Sequence, residues 1–467
     1  MLFSTPIFLF YFLPVAVAGY FLMPRARRNG WLLLFSCGFF FWGAPRFFFV
    51  IFVSAVLDYL LGSRMAHCGV RGRRWLVAVS LLNNLGILAY YKYTNFAFEN
   101  INALFSFLGW HTFTWEHVLL PIGVSFLVFE KITYTVDLYR GAAEPAGSLV
   151  RYLTYVFLFP KVLAGPIVKY HDLAAQLGER AVRFEDVYRG AVRFAYGLFK
   201  KVFLADALGE YVDAVFALPA GAVSTGDAWL GALCFTMQIY MDFSSYSDMA
   251  IGLARVFGFR LMENFRLPYL SGSFSEFWRR WHISLSTWIR DYVYIPLGGS
   301  REGVWRTYRN LFLSFLASGL WHGANWTFVL WGVYHGAFVI LDRALLGRWQ
   351  ARLPRAVCVA AAFFFLLLGW ILFRSPDVGY AFLYMARLFV YQPVTPALGN
   401  FLLVGRPVLA ALGGALVLSF LPGLLPRCSW EAQGGRLLWG GAGVCLLVLA
   451  LSKAVTATFH PFLYFRF

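Results

Sequence analysis

Charge is scarce in this chain of 467 residues: Asp, Glu, Lys and Arg together make up 13% of it, against about a quarter of an average soluble domain. Acidic residues are the scarcer sign, 23 against 40 basic ones, which leaves a formal net charge of +17. Too few charges remain to coat a water-facing surface, so a soluble globular reading is excluded. Six cysteines (37, 68, 234, 358, 428 and 445) are scattered without a Cys-x-x-Cys, and only His67-Cys68 sets a histidine beside one. Neither a metal site nor a disulfide framework is signalled. The eight histidines contain no His-x-x-x-His pair, and no serine stands in Gly-x-Ser-x-Gly; zinc-hydrolase and serine-nucleophile motifs are thus missing. Internal repeats, linkers and low-complexity stretches are absent too, which points to one continuous domain.

What fills the chain instead is apolar surface. Hydrophobic residues make up 60% and aromatics 20%, with 50 Phe, and the mean hydropathy is +0.64. Apolar runs of about 20 residues recur from end to end, the length a helix needs to cross a bilayer. The basic residues cluster between those runs: Arg25, Arg27 and Arg28; Arg64, Arg71, Arg73 and Arg74; Lys200 and Lys201; Arg279 and Arg280; Arg301, Arg306 and Arg309. Spread in this way they follow the positive-inside rule and do not form a nucleic-acid patch. Some of them also suit a phosphate-bearing cytosolic ligand. Met1 to Met23 is apolar and holds Ala16-Val17-Ala18, yet its positive charges follow the run. That polarity predicts an uncleaved first span with the N-terminus outside.

The apolar pattern predicts an all-α polytopic protein of roughly eleven transmembrane helices. A pair over 31–62 breaks at Gly43-Ala44-Pro45-Arg46, a span runs from Trp75 to about Tyr91, 92–117 forms an outside loop, and Leu119 to Val136 returns inside. Residues 172–201 read as an amphipathic interfacial helix. Residues 228–257 are apolar but carry Asp242, Ser244, Ser245, Ser247 and Asp248. Polar groups at membrane depth are tolerated only where protein or a water-filled cavity meets them. The centre is therefore expected to line a cavity. Simple spans resume at about 310–321, 326–343, 356–374, 399–422 and 436–456.

Two histidines stand in that polar centre. One lies in Trp278-Arg279-Arg280-Trp281-His282, followed by Trp288-Ile-Arg290-Asp291; the other lies in Leu-Trp321-His322-Gly323-Ala324-Asn325. An ionisable residue inside a membrane marks a functional site by default, although a lone histidine also serves as interhelical glue. A neutral imidazole at position 322 can take a proton from a hydroxyl attacking an activated acyl group. The Asn325 amide suits a developing oxyanion. Arg279, Arg280 and Arg290 suit the phosphates of a donor such as coenzyme A, or else anchor a helix at the headgroups.

The block from Trp278 to Gly299 and the later Leu-Trp-His322-Gly-Ala-Asn resemble the membrane-bound O-acyltransferase family. Within it the chain is similar to the bacterial branch that O-acetylates exopolysaccharides. Leu120-Pro-Ile-Gly-Val-Ser-Phe, Phe159-Pro-Lys-Val-Leu-Ala-Gly-Pro166, Phe199-Lys-Lys-Val-Phe-Leu-Ala-Asp206 and Asp242-Phe-Ser-Ser-Tyr-Ser-Asp-Met-Ala-Ile-Gly252 match as well, with Ser245 where the family pattern has Gly. The resemblance implies one acyltransferase domain over 1–467, with N-terminal spans (1–140), a catalytic core (141–345) and C-terminal spans (346–467). Re-entrant or interfacial helices would surround a central tunnel. It implies His322 as general base, His282 as the second site residue holding or polarising the acceptor, and Asp242 among the tunnel groups.

The final residues, Phe462-Leu-Tyr464-Phe-Arg-Phe467, resemble an F-x-Y-x-x-F ending of envelope-acylating systems, in which the tyrosine carries the acyl group. A phenol of pKa about 10 gives an activated aryl ester, so Tyr464 is a chemically sensible carrier. The implied function is transfer of acetyl groups from cytosolic acetyl-CoA, with no bound cofactor or metal, across the bacterial inner membrane. A periplasmic SGNH-type or similar transferase, beside the export machinery, would complete O-acetylation of a polysaccharide such as alginate. A flippase for lipid-linked glycans is the alternative. It would use Asp242 and Asp248 but gives no role to His322 or Tyr464.

Overall fold

The computed structural model describes residues 1–163, 165–393, 405–423, 433–456 and 462–463. Every regular element among the described residues is helical. The chain forms two compact units, Met1–Phe194 with Met249–Met262, and Ala195–Asp248 with Glu263–Phe467.

The first unit is built from α1 (Leu13–Leu22), α2 (Arg28–Gly43), α3 (Pro45–Met65), α4 (Val70–Leu88), α5 (Thr94–Phe107), α6 (Val124–Arg140), α7 (Leu149–Phe157), α8 (Tyr170–Gly178) and most of α9 (Phe184–Phe199). The α2–α3 break falls at Ala44, where the backbone leaves the helical region and Pro45 opens the next helix; a proline tolerates that first turn because its missing N–H has no partner to lose there. The span expected from Leu119 starts only at Val124. Pro121 disfavours helix in the residue before it, and Gly123 takes a left-handed φ of 79°. Gly141, at φ 70°, ends the same helix in the conformation that favours glycine.

Nearly all of α6 is buried, Glu130, Lys131 and Asp137 included. Lys131 pairs with Asp58 of α3 at 3.4 Å and with the Ser54 hydroxyl. Asp58 also accepts from Ser80 Oγ at 2.7 Å and Asn84 Nδ2 at 2.9 Å on α4. The neighbouring Glu130 pairs with Lys161. Part of the chain's small complement of charge thus joins helices to one another, as polar groups do inside a bilayer.

The second unit comprises the end of α9, α10 (Asp206–Phe216), α11 (Thr225–Val256) as far as Asp248, α12 (Phe274–Arg280), α13 (Ile283–Ile289), α14 (Val304–His322), α15 (Trp326–Leu341), α16 (Gly347–Gln350), α17 (Arg355–Arg374), α18 (Val378–Arg387), α19 (Arg406–Phe420) and α20 (Gln433–Thr456). The 228–257 stretch is helical without a break as far as Val256, and its Asp242, Ser244, Ser245 and Ser247 are all buried. Helices α14 and α15 meet at glycines. A Cβ on Gly319 would lie 2.4 Å from the Phe328 carbonyl oxygen, and one on Gly332 would lie 2.6 Å from that of Phe315. Small residues let membrane helices approach this closely.

Against the expected eleven spans, four helices among the described residues are long and apolar enough to cross a membrane: Pro45–Met65, Trp326–Gln350, Arg355–Arg374 and Arg406–Gly423. Phe8–Leu22 and Gly440–Thr456 are shorter apolar helices. Helix α11 falls below that standard because of its polar residues, and α6, of 17 residues, is both short and charged; the fold buries most of these groups.

Candidate active site

His282 is buried at the N-terminus of α13 with φ 43° and ψ 54°. Among the described residues only Leu267 and His282 are non-glycine residues with positive φ. That conformation costs on the order of 1–2 kcal/mol and persists where surrounding contacts impose it, typically at functional sites. Here Asn264 imposes it. The Ile283 N–H donates to the Asn264 carbonyl at 3.0 Å. The Asn264 side-chain Oδ1 accepts from Ser284 N at 3.2 Å and Ser284 Oγ at 2.9 Å, and stands 3.1 Å from His282 Nδ1. A backbone N–H is always a donor, so Oδ1 is an acceptor and Nδ1 of neutral His282 must carry the hydrogen. Its Nε2 then holds the lone pair. Asn264 Nδ2 in turn donates to Ser247 Oγ on α11 at 3.1 Å.

His322 ends α14 and is 6% exposed. Its ring packs edge-on against Trp321 at 4.9 Å, Trp331 at 4.9 Å and Phe373 at 5.2 Å. Trp321 also lies 6.0 Å from the His282 ring, so one indole contacts both histidines. The fold thus brings together two residues forty positions apart in sequence. On the α14 face one and two turns before His322 stand Ser318 and Ser314. Those serines, with Trp278, line a cleft of about 330 Å³ whose wall also holds Arg279, Arg290 and Arg343.

Arg280 pairs with Glu276 at 2.8 Å, and Arg355 reaches the same carboxylate at 2.8 Å. Burial alone would raise the Glu276 carboxyl, but the Arg355 hydrogen bond, the Gly272 N–H and both guanidinium charges hold it at about 2. Arg290 is paired with Asp291 at 2.7 Å. Asn325 caps α15: its Oδ1 accepts from Thr327 N at 3.0 Å, and its Nδ2 donates to the Pro376 carbonyl at 2.9 Å.

Asp242 is buried on α11, with Oδ1 2.7 Å from Lys201 Nζ and Oδ2 accepting the Leu463 backbone N–H at 2.7 Å. Lys201 also pairs with Asp206 at 2.8 Å. Its neighbour Lys200 binds Asp248 at 2.6 Å and Ser244 Oγ at 2.8 Å. Phe462 packs against Tyr246 at 4.5 Å and Phe243 at 5.8 Å, and Phe243 lies 4.6 Å from the His282 ring. Tyr464 itself lies outside the described residues. Asn264 and the aromatic wall of Trp331 and Phe373 did not stand out in the sequence, and Lys201 stood out only as part of a basic cluster and of the Phe199–Asp206 match. Asn264 belongs to no motif, and the two aromatics look like any others among 17 Trp and 50 Phe.

Comparison with known proteins bears on this arrangement. The profile of the membrane-bound O-acyltransferase family matches residues 142–375. The chain is 40% identical to the probable alginate O-acetylase AlgI of Pseudomonas putida over the full length of both proteins. It is 44% identical to that of Azotobacter vinelandii over 84% of this chain and 78% of the relative. A peptidoglycan O-acetyltransferase of Helicobacter pylori is 33% identical over 81% of this chain and 78% of its own length.

Proposed function

Starting from the chain's membership of the membrane-bound O-acyltransferase family, which makes it a multi-pass membrane acyltransferase, we propose that it moves acetyl groups from cytosolic acetyl-CoA onto its own Tyr464, for delivery across the bacterial inner membrane to a periplasmic transferase acting on an exported polysaccharide such as alginate. The alginate assignment follows the relatives of 40–45% identity. The donor's phosphates would meet Arg279, Arg290 and Arg343 at the cleft, where guanidinium groups match phosphate oxygens. Its acyl arm would then follow Ser314 and Ser318 toward His322.

In the transfer, His322 removes the phenolic proton of Tyr464 as the phenolate oxygen attacks the thioester carbonyl. The new C–O bond forms, the C–S bond breaks, and the imidazolium returns its proton to the departing thiolate, releasing CoA as the thiol. His282, with its Nδ1 hydrogen committed to Asn264, presents Nε2 as an acceptor to a water molecule whose other hydrogen is donated to the phenol oxygen, because the phenol's single hydrogen goes to His322. The aryl ester so formed is an activated donor for the periplasmic transferase. Attack by that transferase's nucleophile returns the phenol with its proton. No net charge crosses the bilayer in the cycle.

The observation that carries this reading is the position of Phe462, whose ring contacts Phe243 while Phe243 contacts His282. Two residues before the tyrosine, the chain is separated from His282 by one aromatic ring. Tyr464→Phe keeps the ring, and loss of a hydroxyl alone costs on the order of 1 kcal/mol of stability. We expect this variant to insert normally and to lose polymer acetylation. In cells lacking the periplasmic transferase, mass analysis of the last peptide should show an acetyl adduct on Tyr464. A fully active Tyr464→Phe protein with no adduct in the wild type would sink the carrier role.

A further inference from the structure

We propose that Asp242, Lys201 and Asp206 form a buried seat for the backbone of the final segment, and that this seat sets the register in which Tyr464 is presented; the inference rests on the carrier reading above. Asp242 is almost fully enclosed, and a carboxylate buried that deeply needs its oxygens satisfied. Lys201 meets one oxygen, but it is shared with Asp206. The other oxygen of Asp242 takes a further donor. That donor is the Leu463 N–H, in a charge-assisted bond stronger than a neutral one.

Because the donor is a main-chain group, the seat reads position along the chain and not side-chain identity. Phe462 supplies the second fixed point, against Tyr246 and Phe243 on the same helix as Asp242. With residues 462 and 463 both held, the register of the segment is fixed at the residue before the tyrosine. A shift by one residue moves a side chain by about 3.4 Å along an extended chain, whereas misplacement by about 1 Å already costs on the order of a hundredfold in rate. The π-helical turn Lys200–Ala205 supports the seat from behind, since Lys200 braces α11 through Ser244 and Asp248. Asp242 is thus a positioning residue that acts through the tail.

The test is single-turnover acetylation of Tyr464 in the purified full-length protein, read by peptide mass over a range of acetyl-CoA concentrations. Leu463→Pro removes the donated N–H, whereas Leu463→Ala shortens the side chain but keeps it. We expect Leu463→Pro to acetylate Tyr464 at least tenfold more slowly than Leu463→Ala. Asp242→Asn should also fall at least tenfold below wild type, with half-saturating acetyl-CoA within twofold, because the seat does not touch the donor. Equal rates for the Pro and Ala variants, with the adduct formed, would overturn the seat and leave the carrier role standing. So would a rate loss in Asp242→Asn matched by an equal rise in half-saturating acetyl-CoA, the mark of general loosening. Absence of any adduct in the wild type would remove the carrier role and the seat together.

Discussion

At the scale of single residues, the proposed site centres on two histidine rings and on what aims each of them. His322 is held by aromatic faces, and general-base catalysis by such a group contributes about 10²–10⁴-fold. We expect His322→Ala to lower acetyl transfer by at least that factor at normal membrane abundance; near-wild-type polymer acetylation would rule the base role out. His282→Ala should fall less steeply, since water can replace a positioning acceptor in part. Asn264 gives the sharper test, because it holds both the His282 tautomer and its left-handed backbone. Asn264→Ala leaves buried donors without their acceptor, at a cost of about 1–3 kcal/mol. Transfer should drop by about tenfold or more, with a lowered thermal midpoint in detergent. A midpoint loss with unchanged turnover would reduce Asn264 to a purely structural group.

At the scale of elements, α12 is a short helix that must keep Trp278 and Arg279 at the cleft, and its end is clamped by Glu276 to Arg280 and Arg355. The Glu276 carboxyl lies at about 2 in the folded protein, below an unfolded value of about 4.3. A depressed carboxyl contributes stability that is complete above the unfolded value and lost as pH falls from there through 2. Protonating it should cost on the order of 2 kcal/mol, after allowance for screening at this partly open position. Thermal melts in detergent between pH 6 and pH 3 should therefore show a steeper acid loss for the wild type than for Glu276→Gln. Parallel curves would show that the clamp carries no such charge coupling.

At the scale of the whole molecule, the basic clusters predict that the segment around residues 64–74 faces the cytosol and the N-terminus the outside. Val70 is 67% exposed, so Val70→Cys in a background with all six native cysteines replaced by Ser reports on that segment. An impermeant thiol reagent should leave it unlabelled in intact cells and label it after lysis. Labelling in intact cells would reverse the orientation and the side from which the donor enters. Composition alone determined the membrane setting: too little charge for a soluble surface and apolar runs throughout. Local chemistry placed many of the helix limits, as at Pro45 and Gly141. The motifs marked His282, His322 and the Asp242 segment because those residue types are rare and costly in apolar surroundings. What only the tertiary structure decided is who meets whom. Hydropathy cannot distinguish a helix that hides Asp and Lys inside the protein from one that does not span, so the count of spans was poorly legible. Nor does any local pattern show that Asn264 holds His282, that Lys201 and Leu463 share Asp242, or that Asn325 is committed to capping α15. Those pairings join residues up to 221 positions apart, and they form because buried polar groups must find partners that only the folded chain supplies.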